Sequence, residues 1–131
     1  MDSGFVNWQF GARGSIIGFM KTQVSFVEFQ KLDLRVGTIK QVEIPEGSRT
    51  MYRLTVDLGE EIGQRIIFAG IKEMYQPGEL EDKQGVFVVN LEPKKIMGEE
   101  SQGMLLAVCE ADDTPIMIVP LKQVKAGSIV R

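Results

Sequence analysis

Histidine is absent from the 131 residues, and cysteine occurs once. The first absence removes the commonest general base and metal ligand, leaving proton-transfer catalysis and a zinc centre almost nothing to be built from. The second excludes an internal disulfide. Because no positively charged stretch precedes an apolar one near Met1, both features point to a reducing cytoplasm. Cys109, inside Leu105-Leu106-Ala107-Val108-Cys109, is expected to act as a small buried hydrophobe. Long apolar runs are missing as well: Ile16-Ile17-Gly18-Phe19-Met20 is far too short for a bilayer, so no membrane segment is expected. A basic excess is also lacking, since 15 Lys and Arg stand against 18 Asp and Glu for a net charge of −3. A polyanion is repelled by such a field, so nucleic-acid binding demands segregation of charge. The sequence permits it: Glu60, Glu61, Glu79, Glu81, Asp82, Asp112 and Asp113 cluster in three turns away from Lys94 and Lys95.

What is present is enough for one domain with one core, at 44% apolar residues. Residues 1–20 differ from the rest, with four glycines, Trp8 and three phenylalanines in neither helical nor strand periodicity. They are expected to be an extension outside the native domain, which then occupies 21–131 with Met20 as an alternative start. The rival reading is an arm that packs on a partner subunit. Ser25-Phe26-Val27-Glu28 is a capping box that opens a short helix over about residues 26–31. Strands are expected at 34–43, 52–58, 65–69, 85–90, 104–108 and 116–119, with a bulge at Gly37 and hairpin connections at 60–63 and 111–114. A helical segment at 72–75, ended by Pro77-Gly78, follows the third strand. This order predicts an all-β fold, a five-stranded Greek-key barrel of the OB type with short capping helices. A parallel α/β architecture is excluded because no helix is long enough to cross between parallel strands.

The acidic pairs Glu60-Glu61, Glu99-Glu100 and Asp112-Asp113 fall in predicted turns, where solvated charge explains them better than acid–base chemistry. Gly11, Gly14 and Gly18 fit no nucleotide-binding fingerprint, and no strand precedes them. Of the seven methionines, Met104 and Met117 fall in apolar strands where core filling is the default, whereas Met97 is expected to be exposed. No catalytic residue, metal ligand or cofactor is therefore expected.

The most unusual stretch is Asn90 to Leu105, NLEPKKIMGEESQGML, between two apolar runs. Pro93 fixes a turn, Lys94 and Lys95 place two cations beside it, and Ser101-Gln102-Gly103 feeds polar groups into the next strand. Lysine pairs alone read as a solvated turn. Taken with Asp33-Leu34-Arg35-Val36-Gly37-Thr38-Ile39 and Leu54-Thr55-Val56-Asp57-Leu58-Gly59, however, the block resembles the tRNA-binding domain appended to methionyl-tRNA synthetases, which also occurs as free-standing proteins. The resemblance runs from about Ser25 to Arg131, and the family form NLKPRKLRGVESQGM is met here by NLEPKKIMGEESQGM. Ser48-Arg49-Thr50-Met51 replaces the family's Ala-Asp-Lys-Leu, so the roles of that acid and lysine do not carry over. Val124-Lys125-Ala126-Gly127 likewise replaces a proline-rich approach to the C-terminus.

The resemblance implies a non-catalytic tRNA binder that acts by shape and phosphate. It implies a homodimer, and a free-standing or β-subunit partner of an aminoacyl-tRNA synthetase. It places the RNA face at Asn90, Lys94, Lys95, Ser101, Gln102 and Met104, with Arg35 on a neighbouring strand. Asn90 and Ser101 are then expected to donate to phosphate or ribose oxygens, and Met104 to touch a base or sugar. The alternative is a CsaA-like homodimeric chaperone, which an acidic pI near 5.0 and exposed methionine or aromatic side chains suit better. A third reading is an architectural subunit that dimerises a synthetase.

Overall fold

The computed structural model describes residues 20–131. The expected extension, with Trp8 and the Gly11, Gly14 and Gly18 pattern, lies outside the described residues. The chain runs through helix α1 (Phe26–Phe29), strands β1 (Leu34–Glu43) and β2 (Tyr52–Asp57), helix α2 (Gly59–Ile62), strand β3 (Gln64–Ala69), helix α3 (Pro77–Leu80) and strand β4 (Gln84–Val88). Six shorter strands follow: β5 (Lys94–Ile96), β6 (Glu99–Ser101), β7 (Met104–Leu105), β8 (Ala107–Cys109), β9 (Pro115–Met117) and β10 (Ile129–Val130). One antiparallel sheet takes the order β3-β2-β1-β4-β7, with β10 paired to the start of β1, while β5–β6 and β8–β9 form separate hairpins.

β1 organises the barrel because it pairs along both edges. Its first half lies against β4 and β10 and its second half against β2. Both faces are buried at this end, with Leu34, Val36, Gly37 and Ile39 all covered, which is why the polar–apolar alternation of the sequence is imperfect here. The register irregularity falls between Ile39 and Gln41, so Lys40 and not Gly37 carries the bulge. Gly37 is glycine for another reason. A Cβ there would lie 2.5 Å from Val56 Cγ1 and 2.8 Å from Leu58 Cδ2, so the backbone of β1 sits directly on the core.

The core is built from Ile39, Leu54, Val56, Leu58, Ile67, Phe87 and Leu105, each contributing about 2 kcal/mol by its burial. The barrel closes between β3 and Ser101-Gln102 at the end of β6, where side chains help to complete the ladder. The Gln102 amide donates to the Ile66 carbonyl (2.8 Å), the Ile66 amide donates to Gln102 Oε1 (3.0 Å), and the Phe68 amide donates to Ser101 Oγ (3.0 Å). Otherwise the free edge of β3 would present unpaired amides.

Several local expectations need correction. Ser25 Oγ does accept from the Glu28 amide (3.1 Å), but the Glu28 carboxylate pairs with Lys31, and α1 ends at Phe29. The helix after β3 begins where the sequence was expected to end one: Gln76 and Glu79 form a capping box and Pro77 occupies the first turn, its fixed φ suited to a helix start. The connection at 60–63 does join β2 and β3 as a hairpin, and it contains a four-residue helix, α2, that the sequence did not signal. The strand expected at 104–108 is split into β7 and β8, and Cys109 is exposed on β8 with Sγ 3.8 Å from Asp113 Oδ1, not buried.

Candidate nucleic-acid interface

The block around Lys94 is not a loop. β5 and β6 form a hairpin closed by the two-residue turn Met97-Gly98, with φ of 52° and 86°. Two successive positive φ values are what a turn needs to follow the right-handed twist of two strands. Glycine adopts this freely, whereas Met97 does so at a cost of about 1 kcal/mol. The register pairs Lys94 with Ser101, Lys95 with Glu100 and Ile96 with Glu99. Since neighbours on a strand point to opposite faces, Lys94 and Lys95 do not form one cationic patch. Lys95 shares its face with Glu100, while Lys94 lies on the face of Ser101.

The polar residues expected on the RNA face are mostly engaged within the chain. Arg35 is 11% exposed and donates to Asp33 Oδ1 (2.6 Å), Glu61 Oε1 (3.0 Å) and the Gly127 carbonyl (3.2 Å). Hydrogen bonds to Asp33 and then Glu61 push its already high pKa further up, so it is a permanent cation locked between two acids. Asn90 Nδ2 donates to the Lys31 carbonyl (2.6 Å), and Asn90 Oδ1 accepts from the Asp33 amide (2.8 Å). Ser101 and Gln102 close the barrel as described. Lys94, Lys95, Met97 and Met104 reach the surface. The structure therefore groups the lysines with Met97 on one hairpin, places Met104 on the adjoining barrel strand, and sets Arg35 at the β10 end of β1.

Charged residues that sequence reasoning missed surround this hairpin. Arg53 on β2 donates from Nε and Nη2 to Glu99 Oε1 and Oε2, both at 2.8 Å, and from Nη1 to Glu43. These bonds hold the Glu99 carboxyl below the usual carboxylate range. Arg65 on β3 donates to the Val89 and Gln102 carbonyls (2.6 and 3.2 Å). The available signal was strand alternation, which puts Arg53 and Thr55 on the outer face of β2. Among the described residues no group of three or more acids and cysteines is placed to hold a metal, and no helix is long and apolar enough to cross a membrane.

The fold and this hairpin meet known proteins. A family model described as a putative tRNA binding domain matches residues 34–129. The chain belongs to the tRNA-binding domain family. It is 46% identical to a methionine–tRNA ligase of Pyrococcus furiosus over 120 residues, covering 91% of this chain and 16% of that enzyme. A ligase of Methanothrix thermoacetophila is 47% identical over 111 residues, again covering 16% of its length. The chain thus spans about a sixth of the length of these relatives. Among solved structures, a MetRS-related protein from Pyrococcus horikoshii superposes with a TM-score of 0.78 at 36% identity, covering 85% of this chain and all of that one. The chaperone CsaA from Bacillus anthracis gives 0.76 at 29%, covering 84% and 100%. This tRNA-binding domain is accordingly an OB-type barrel related to the methionyl-tRNA synthetase C-terminal domain and to CsaA.

Proposed function

We propose that this chain binds tRNA without catalysing a reaction, gripping it by shape and phosphate, as a free-standing or β-subunit partner of a methionyl-tRNA synthetase. The observation that carries the reading is the family match over 34–129, a range that includes the basic hairpin. β5–β6 lies in the connection between the fourth and fifth barrel strands, beside the β2–β3 face that OB folds commonly turn to oligonucleotides. The seven site residues divide into two roles. Lys94, Lys95 and Met104 meet the ligand. Arg35, Asn90, Ser101 and Gln102 shape the surface through the bonds that their side chains make to Glu61, the Lys31 carbonyl, the Phe68 amide and the Ile66 amide. Few exposed groups here read base edges, so affinity rests on phosphate and varies little with sequence.

A homodimer is part of this reading, since one small face with a net acidic chain binds weakly and two linked faces gain avidity. Gel-shift titration with total tRNA at two salt concentrations tests it. A retarded complex whose affinity falls steeply with salt is expected, and absence of a complex at low salt overturns the reading.

A second reading, a CsaA-like chaperone, is favoured by one observation: Phe26, Val27, Val119 and Leu121 are exposed, Leu121 at 99%. Suppression of aggregation of an unfolded protein by the chain, undiminished by saturating tRNA, would favour that reading over the first.

A further inference from the structure

The β5–β6 hairpin has three residues in each strand, too few for an isolated two-stranded hairpin to hold its shape in water. Its turn begins with Met97 in the left-handed region, a conformation that persists only when the surroundings enforce it. Two attachments of β6 supply the enforcement. At the root, Ser101 Oγ accepts the Phe68 amide; nearer the turn, Glu99 takes the fork of Arg53. Glu99 and Ser101 are two apart and so face the same way, and Arg53 and Phe68 are direct cross-strand partners. Both attachments therefore land on one rung of the β2–β3 ladder and fix the hairpin's angle as well as its place. All three guanidinium nitrogens of Arg53 are engaged, the third by Glu43.

We infer that Arg53 is a positioning residue for the RNA-binding surface: through its forked pair with Glu99 it holds the β5–β6 hairpin, and so Lys94, Lys95 and Met97, at the angle that meets the phosphate backbone. The inference rests on the tRNA-binding reading. It reverses the expected sign for Glu99. An acid beside a polyanion ordinarily opposes binding, so its removal alone strengthens the complex. As one half of the clamp, it promotes binding.

The test is tRNA titration of the full chain at one salt concentration and then across a salt series. The proteins compared are wild type, Glu99→Gln, Arg53→Lys and the exchanged pair Arg53→Glu with Glu99→Arg, each checked to be fully folded at the assay temperature. Glu99→Gln should weaken binding about fivefold, a loss in the range of a partly exposed charge-assisted bond, while its salt slope stays at the wild-type value. Arg53→Lys keeps the charge but loses the planar fork and should weaken binding similarly. The exchanged pair, with unchanged net charge, restores an acid–guanidinium contact but sets an acid beside Glu43, so its affinity should lie between those of wild type and Glu99→Gln. Wild type that binds while Glu99→Gln binds equally or better overturns the clamp and leaves the tRNA reading standing. Full affinity in Arg53→Lys does the same. Wild type that binds no tRNA overturns both.

Discussion

Asn90 and Asp33, 57 positions apart, are joined through a 2.8 Å hydrogen bond from the Asp33 amide to Asn90 Oδ1. With the bond from Asn90 Nδ2 to the Lys31 carbonyl, this ties the segment after α1 to the end of β4. Asn90→Ala should lower stability by about 1–2 kcal/mol, the usual cost of losing two such bonds at a partly wet site. Urea unfolding checks the value, and faster hydrogen exchange at the Asp33 amide locates it.

The backbone crossing of Gly59 and Gly127 leaves no room for a side chain. A Cβ on Gly127 would collide with the Leu58 carbonyl oxygen, and one on Gly59 would come within 2.5 Å of the Ala126 carbonyl oxygen, both glycines having positive φ. Gly127→Ala should cost about 3 kcal/mol or more, a fall in midpoint on the order of 10 °C. Gly47 has a similar φ of +82° but open space around it, so Gly47→Ala should cost only about 1 kcal/mol. Equal losses would show that φ and not the collision sets the cost.

Because Lys94 and Lys95 point to opposite faces of their hairpin, they are not interchangeable. Lys94→Gln and Lys95→Gln should weaken tRNA binding unequally. The double change to glutamate should flatten the salt dependence, by up to about 0.9 log units for each duplex phosphate that is no longer neutralised. Unchanged affinity and slope in the double variant would remove the hairpin from the site.

The lowered Glu99 carboxyl makes stability pH-dependent in a definite direction. Arg53 favours the ionised form in the folded chain, so the pair's contribution is complete above about pH 5 and is lost as pH falls through the lowered folded value. Glu99→Gln should therefore lose less stability than wild type on acidification from about pH 5 to pH 3, read as urea midpoints across that range.

α1 presents Phe26 and Phe29 with ring centroids 6.5 Å apart, and Ile129 of β10 lies exposed along the same cleft. Apolar surface of this kind marks an interaction site, and a two-fold interface would let it meet its counterpart on a second copy. Light scattering should give about twice the 14.6 kDa chain mass, and Phe26→Asp should move it towards one chain while weakening tRNA binding. A wild-type mass of one chain with tRNA affinity intact would leave a monomeric binder.

Local chemistry determined much of what was legible in advance. β1 matches its expected bounds, 34–43, because alternation and β-branched residues act through nearest neighbours, and the expected second strand differs by one residue at its end. The three family-like blocks identified the domain for the same reason: they are contiguous. Pro77-Gly78 was misplaced because proline both opens and follows helices, and only the Gln76–Glu79 box distinguishes the two. What tertiary structure alone decided is the use of the polar residues. Ser101 and Phe68 are 33 positions apart and Arg53 and Glu99 are 46, so no window of sequence reveals that they meet. A hydroxyl or guanidinium is equally suited to phosphate and to an amide or carboxylate of its own chain. Barrel closure brings the internal partner within reach, and Ser101 and Arg53 take it.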